Sequence, residues 1–171
     1  LQDRFKYYLK EKQIRYDIID ASISTFSLNK LFSTFEKAKS INKVINDQIG
    51  IDITSIYKRS SNILENEMKN NKIEILNTTD PGIFKSEYEK NLFKKINEIK
   101  KYYTGINNDE NYENSLSILA SAKSDVFDFF DNVKVNEENE ILRKNRLELI
   151  NMLCKTFQNF INFQLLKANN E

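Results

Sequence analysis

The stretch "NEENEILRKNRLELINMLCKTFQNFINFQLL" (residues 136–166) decides the fold. At 100° per residue, Leu142, Leu149, Ile150, Leu153, Phe157, Phe160 and Ile161 fall on one apolar stripe, so the stretch predicts a long amphipathic helix. Asn136 suits its N-cap, and Glu137 and Glu138 suit the positive end of the helix dipole. One residue conflicts with this pattern. Arg146 lies near the middle of the stripe, and Arg143 lies at its edge. A guanidinium facing a core needs carboxylate or carbonyl partners, because an unpaired buried charge is costly. In sequence the nearest candidates are Asp131 and Asp128, just upstream in "FFDNVKVN" (129–136). Two readings are open there. Arg146 pairs with Asp131 and fixes the corner, or Arg146 or Arg143 reaches a phosphate or a base. Both hold if each arginine does one of these jobs.

Working upstream, the same periodicity recurs. Residues 28–47 carry Leu28, Leu31, Phe32, Phe35, Ala38, Ile41 and Ile45 at helical spacing. Gly50 reads as the C-cap of that helix and Asp52 as the N-cap of the next. That next helix, 53–70, carries Ile53, Ile56, Tyr57, Ile63, Leu64 and Met68. The strongest turn signal is "NTTDPG" (77–82). Helices are predicted near 84–103 and 112–128, with "GINNDEN" (105–111) solvated between them. Shorter helical patterns lie at 3–12 and 15–24. The fold class is all-α, a helical bundle of about six or seven helices.

Composition agrees and excludes several chemistries. The chain has 171 residues with only 3 Gly and 1 Pro, so breakers are few and long helices follow. Its 40% hydrophobic residues suffice for one core. The formal net charge is +1, so any nucleic-acid contact must come from local patches. There is no histidine, which removes Ser-His-Asp and Cys-His nucleophile schemes and most zinc sites. The single cysteine, Cys154, cannot form an internal disulfide and points to a reducing compartment. Beside Leu153 it reads as an inert core thiol. No apolar run approaches the ~18 residues of a membrane span. The absence of an initiator Met predicts a piece of a longer chain. No metal-binding, catalytic or Gly-rich phosphate-binding pattern is present.

Two clusters carry possible binding chemistry. On the helix at 53–70, Arg59 and Asn62 are three apart, with Lys58 beside them and Tyr57 adjacent. This is either a solvated basic face or a polar platform able to stack on and hydrogen-bond an unpaired base. In "FFDNVKVN", Phe129 and Phe130 point about 100° apart on a helix end, so at least one belongs to the core. Val133 and Val135 share a face and leave Lys134 on the other.

These segments resemble one family. "DVFDFFDNVKVNEENEILRKNRLELINML" (125–153) is similar to the C-terminal signature of the bacterial glycyl-tRNA synthetase beta subunit. That pattern is approximately Val-Asp-x-Phe-Phe-Asp-x-Val-Met-Val, an acidic stretch, then Leu/Val-Arg-x-Asn-Arg-Leu-x-Leu-Leu. "RYDIIDAS" (15–22), "YKRSSNIL" (57–64) and "DPGIFKSEYEKNLF" (80–93) resemble further family segments in the same order. Departures are Lys134 for the usual Met, Asn139 for a usual Asp, and an imperfect Val-Asp match before the two Phe. The core Arg143, Asn145, Arg146 and Leu147 is intact.

The resemblance implies a helical anticodon-binding domain, of the type shared with arginyl- and cysteinyl-tRNA synthetases. It implies a cytoplasmic α2β2 glycine–tRNA ligase that uses ATP and magnesium, with catalysis in the alpha subunit. The expected partners are tRNA(Gly) and, through the full beta subunit, the alpha subunit, with no membrane. No cofactor, metal or catalytic residue is expected in this chain itself. Residues 1–25 are expected to be helices or a linker leading in from the preceding part of the subunit, and 26–171 the domain. The tRNA-binding residues are placed at Lys58, Arg59, Asn62, Asn132, Lys134 and Arg143. Asp131, Asn145 and Arg146 are assigned to structural support of that site. The competing class is a non-catalytic helical protein-interaction module docking through the 28–47 stripe.

Overall fold

A computed structural model describes residues 2–25, 30–71, 74–105 and 111–167. These residues form eight α-helices and no strand: α1 (Gln2–Glu11), α2 (Tyr16–Ile23), α3 (Leu31–Val44), α4 (Gln48–Asn71), α5 (Glu87–Gly105), α6 (Tyr112–Ala120), α7 (Lys123–Asn132) and α8 (Glu140–Gln158). Short 3-10 turns occupy Pro81–Ile83 and Phe163–Leu165. The all-α bundle expected from periodicity is the observed architecture.

The longest helix, α4, is the hub. It packs against α8, α6, α7, α3 and the turn at Phe163–Leu165, while α5 packs against α7 and α8. Its buried face is Ile53, Ile56, Tyr57 and Leu64, a helical spacing that meets Leu149, Ile150, Leu153 and Phe157 of α8 within one core. Phe129, Phe157 and Phe163 are among the largest fully buried side chains. Phe163 lies 5.7 Å from Tyr57 and 5.8 Å from Phe157, so the turn after α8 closes the core with an aromatic cluster. Helices α1 and α2 contribute Phe5, Leu9, Ile18 and Ile19 to the same core. The Asp17 carboxylate accepts from Arg15 and from the Lys167 backbone N–H at 2.8 Å, tying α2 to the chain end.

Several boundaries differ from the sequence reading, each for a local reason. Helix α4 starts at Gln48, so Gly50 is in its first turn and is not a C-cap. A Cβ there would collide with the Val44 carbonyl and sit 2.5 Å from the Ile45 Cα, so glycine permits the tight α3–α4 approach. Asp52 therefore lies inside α4, where it binds Lys123 at 2.8 Å instead of capping. Helix α8 is capped by Asn139, whose Oδ1 accepts from the Ile141 and Leu142 N–H groups, and not by Asn136. Asn for the family's Asp preserves this capping chemistry. The same helix ends at Gln158 rather than near Leu166.

The helix expected at 112–128 is two, because Ser121 caps α6 and the chain turns before α7. In the α3 stripe Ala38, Ile41 and Ile45 are buried, but Phe32 is 75% exposed and Leu31 lies at the rim. Leu28 and most of "GINNDEN" fall outside the described residues. No helix among the described residues is long and apolar enough to cross a membrane.

Candidate nucleic-acid interface

Arg146 is where the sequence conflict resolves. It is buried, as its place on the stripe requires, but Asp131 is not its partner. Its Nε donates to Glu89 Oε1 at 2.9 Å, and its Nη1 donates to the Lys134 carbonyl at 2.8 Å and to Glu137 Oε2 at 3.4 Å. The other Glu89 oxygen accepts from the Lys85 and Ser86 N–H groups, both at 2.8 Å, at the start of α5. Ser86 Oγ in turn accepts from the Glu89 N–H at 3.3 Å, which makes Ser86-x-x-Glu89 a capping box. One carboxylate thus caps α5 and neutralises the arginine of α8. Burial pushes the Glu89 carboxyl up, but Arg146 and the two backbone N–H donors outweigh it and hold the group below the usual glutamate range.

The rest of the Arg-x-Asn-Arg segment does similar work. Asn145 is buried and brackets Asp80, accepting from its N–H at 2.8 Å and donating to its carbonyl at 3.0 Å. Glu148, also buried, accepts from the N–H groups of Leu76 and Thr78 at 2.5 and 3.3 Å. Together Asn145, Arg146 and Glu148 fasten residues 74–89 to α8. Cys154 is buried among apolar neighbours, which pushes its thiol up to about 12 and leaves it a poor nucleophile at neutral pH.

The partner of Asp131 is Arg59. Its Nη2 lies 3.1 Å from Asp131 Oδ1, and its guanidinium carbon sits 5.1 Å from the ring centre of Phe127 and 4.8 Å from that of Phe130. Phe127, Phe130 and Asp131 are spaced i, i+3, i+4, which places all three on one face of α7. That spacing was the available signal for a shelf under Arg59, and the sequence reading passed over it. The Arg59 side chain is 36% exposed and that of Asp131 63%, so this ion pair, unlike the one at Arg146, is open to solvent. Asn62 is exposed one turn along α4, and Asn132, also exposed, donates to the Asp128 carbonyl at 2.9 Å. Lys58 is half-buried. Tyr57 offers no platform: it is buried, and its hydroxyl accepts from Gln158 at 2.7 Å.

Beyond α7 the corner divides as its alternation suggests. Phe129 and Val133 are buried, and the Lys134 side chain is exposed while its carbonyl binds Arg146. Arg143 is half-buried. Its Nη1 donates to the Glu137 carbonyl at 3.4 Å, and its buried Nε has no hydrogen-bond partner among the described residues. The geometry therefore joins Arg59, Asp131 and Asn132 at one corner, with Asn62 a turn away. Lys134 and Arg143 flank the connection from α7 to α8. The described residues contain no group of three or more His, Cys, Asp or Glu able to hold a metal.

Comparison with known proteins places this geometry in a family. A family model described as the DALR anticodon binding domain matches residues 53–168, starting within α4 and including α5 to α8. The glycine–tRNA ligase beta subunit of Rickettsia typhi is 30% identical over 162 residues, covering 95% of this chain and 23% of that protein. That of Persephonella marina is 30% identical over 163 residues, covering 95% and 22%. That of Dinoroseobacter shibae is 28% identical over 154 residues, covering 90% and 21%. This chain therefore spans less than a quarter of the length of these relatives. More than half of its residues lie inside the family match, and the chain belongs to the DALR anticodon binding domain family.

Proposed function

We propose that this chain recognises the anticodon region of tRNA(Gly) as a non-catalytic part of a glycine–tRNA ligase beta subunit. Family membership over α4–α8, together with the beta-subunit relatives, carries this reading. An anticodon loop offers splayed bases and a bent phosphate backbone, which proteins read by stacking and base-edge hydrogen bonds while Lys and Arg hold phosphates. The corner of α4 and α7 has those ingredients: Arg59 on its Phe127–Phe130 shelf, exposed Asn62 and Asn132 amides, and the Lys134 ammonium, with Lys58 and Arg143 at its borders. Asp131 orients Arg59, while Asn145 and Arg146 support the site from within. The ligase chemistry with ATP and magnesium, the alpha-subunit partner and a cytoplasmic location belong to the same proposal. So does a boundary near residue 25, with the preceding helices leading in from the rest of the subunit. The protein-interaction alternative is not favoured by the family match.

The test is a titration of the 171-residue chain with unmodified tRNA(Gly) transcript and with the same transcript carrying changed anticodon bases. Preference for the native anticodon, with affinity falling as salt rises, is expected. Indifference to the anticodon contradicts the proposal.

A further inference from the structure

A second site lies away from the α4–α7 corner. A cavity of about 260 Å³ opens between α5, α8 and the turn before Pro81, lined by Asn77, Thr79, Phe93, Lys100, Asn151, Met152 and Lys155. Two lysines line it and, among the described residues, no carboxylate does. Lys100 is half-buried and makes no ion pair among the described residues, and desolvation by burial lowers its pKa. The nearest acid on α8, Glu148, is turned to the Leu76 and Thr78 N–H groups. The cavity is thus an open hollow with two ammonium groups, a half-buried Lys100 and an exposed Lys155, and no carboxylate among its described lining, a setting that suits an anion.

The amides add a second feature. Lys155 Nζ and Asn151 Nδ2 both donate to Asn77 Oδ1, at 2.5 and 2.7 Å. An ammonium can only donate, so the Asn77 oxygen must face Lys155, and Asn151 must present its NH2 group to that same oxygen. Asn77 Nδ2 and Asn151 Oδ1 are left over as one donor and one acceptor. Asn77 adopts a left-handed φ of 60°, a conformation asparagine tolerates, and so keeps its amide on this wall. The lining also has an apolar part: Met152, next to Asn151 on α8, and Phe93 of α5, itself held by an edge contact with Phe84 at 5.5 Å. A bare phosphate has no use for an aromatic and a thioether, whereas a nucleobase stacks on them and pairs its edge with an amide donor and acceptor.

We propose that this cavity takes one unstacked nucleotide of single-stranded RNA, its phosphate between Lys100 and Lys155 and its base against Phe93 and Met152. It rests on the RNA-binding reading above and adds a contact outside the corner assigned there. The chain has 2 methionines, so the Met152 methyl resonance can be followed with Met68, exposed on α4, as internal control. Three ligands are titrated: a mixed-sequence RNA heptamer, the nucleoside monophosphates, and inorganic phosphate.

The heptamer is expected to bind and to shift the Met152 methyl upfield through the ring current of a stacked base while Met68 stays still. Lys100→Met removes an unpaired ammonium, so the fold is retained. It is expected to weaken heptamer binding roughly tenfold or more, the size of one charge-assisted hydrogen bond, and to lower the salt slope by ~0.7, one phosphate of a single strand. Heptamer binding with Met152 unmoved, or with an unchanged slope in Lys100→Met, overturns the cavity and leaves the corner standing. The same Met152 shift with inorganic phosphate alone overturns the base contact. Monophosphates binding as tightly as the heptamer make it a free-nucleotide pocket and overturn the RNA assignment. Failure of the heptamer and of tRNA(Gly) alike overturns this inference and the function proposed above together.

Discussion

Two arginine–carboxylate pairs sit on this bundle, alike in chemistry but opposite in setting. At Arg146 and Glu89 the side chains are 8% and 1% exposed; at Arg59 and Asp131 they are 36% and 63% exposed. The first pair is hydrogen-bonded on both sides, through a capping box at Glu89 and through the Lys134 carbonyl at Arg146. The second rests on two phenylalanine faces and meets water. A buried pair is expensive to break and nearly invisible to a ligand, whereas an exposed pair contributes little to folding and can exchange its partner for a phosphate or a base. Within the most recognisable part of the sequence, Asn145 and Arg146 are therefore fastenings, and the reading surface proposed above lies mainly on plainer residues of α4 and α7.

The largest test of that contrast is Arg146→Met. It leaves the Glu89 charge buried without its cation, and a loss of ~3–5 kcal/mol of unfolding free energy in urea is expected. An unchanged unfolding midpoint would remove the fastening role. Next is Asn145→Ala, which orphans the Asp80 N–H and carbonyl; a loss of ~1–3 kcal/mol is expected, with faster amide exchange through residues 76–83. If exchange there stays as slow as in the wild type, Asn145 is not what holds the turn.

Acid separates the pairs without mutation. The Glu89 pKa is lowered in the folded chain, so its stabilisation is complete above the unfolded glutamate value of ~4.3 and is lost as pH falls through the lower folded value. Asp17 and Asp52 are lowered in the same direction, so stability is expected to decline on the acid side. Glu89→Gln should flatten part of that decline; the same acid slope in the variant argues against the pairing. The smallest effect on folding is expected at Arg59→Ala, within about 1 kcal/mol, because both partners are solvated and the cation–π contact is exposed.

The contrast also explains what was legible in the sequence. Helical stripes revealed the all-α class because burial of Ile53, Ile56, Leu149 and Phe157 demands that spacing. The same spacing flagged Arg146 as a charge in the core. Its partner was not legible, because Glu89 is 57 residues away and adjacency along the chain is no guide to adjacency in a bundle. The Ser86-x-x-Glu89 spacing is a start signal for α5 that the helix predicted near 84–103 did not use, and nothing local says that a capping carboxylate has a free oxygen facing another helix. Gly50 was misread for a similar reason: a glycine near a helix end suits a cap or a close approach, and only the position of Ile45 distinguishes them. The cavity at Asn77 left no trace in the sequence, since its walls come from three separated segments.

In the function proposed above, the exposed pair reads RNA, while the buried pair holds the fold. The most direct measurement is the ratio of affinities for native and anticodon-changed tRNA(Gly), taken on Arg59→Ala beside the wild type at matched salt. The wild type is expected to discriminate, and Arg59→Ala to lose most of this discrimination with its unfolding midpoint nearly unmoved. An Arg59→Ala chain that discriminates as well as the wild type would contradict that role for the exposed pair.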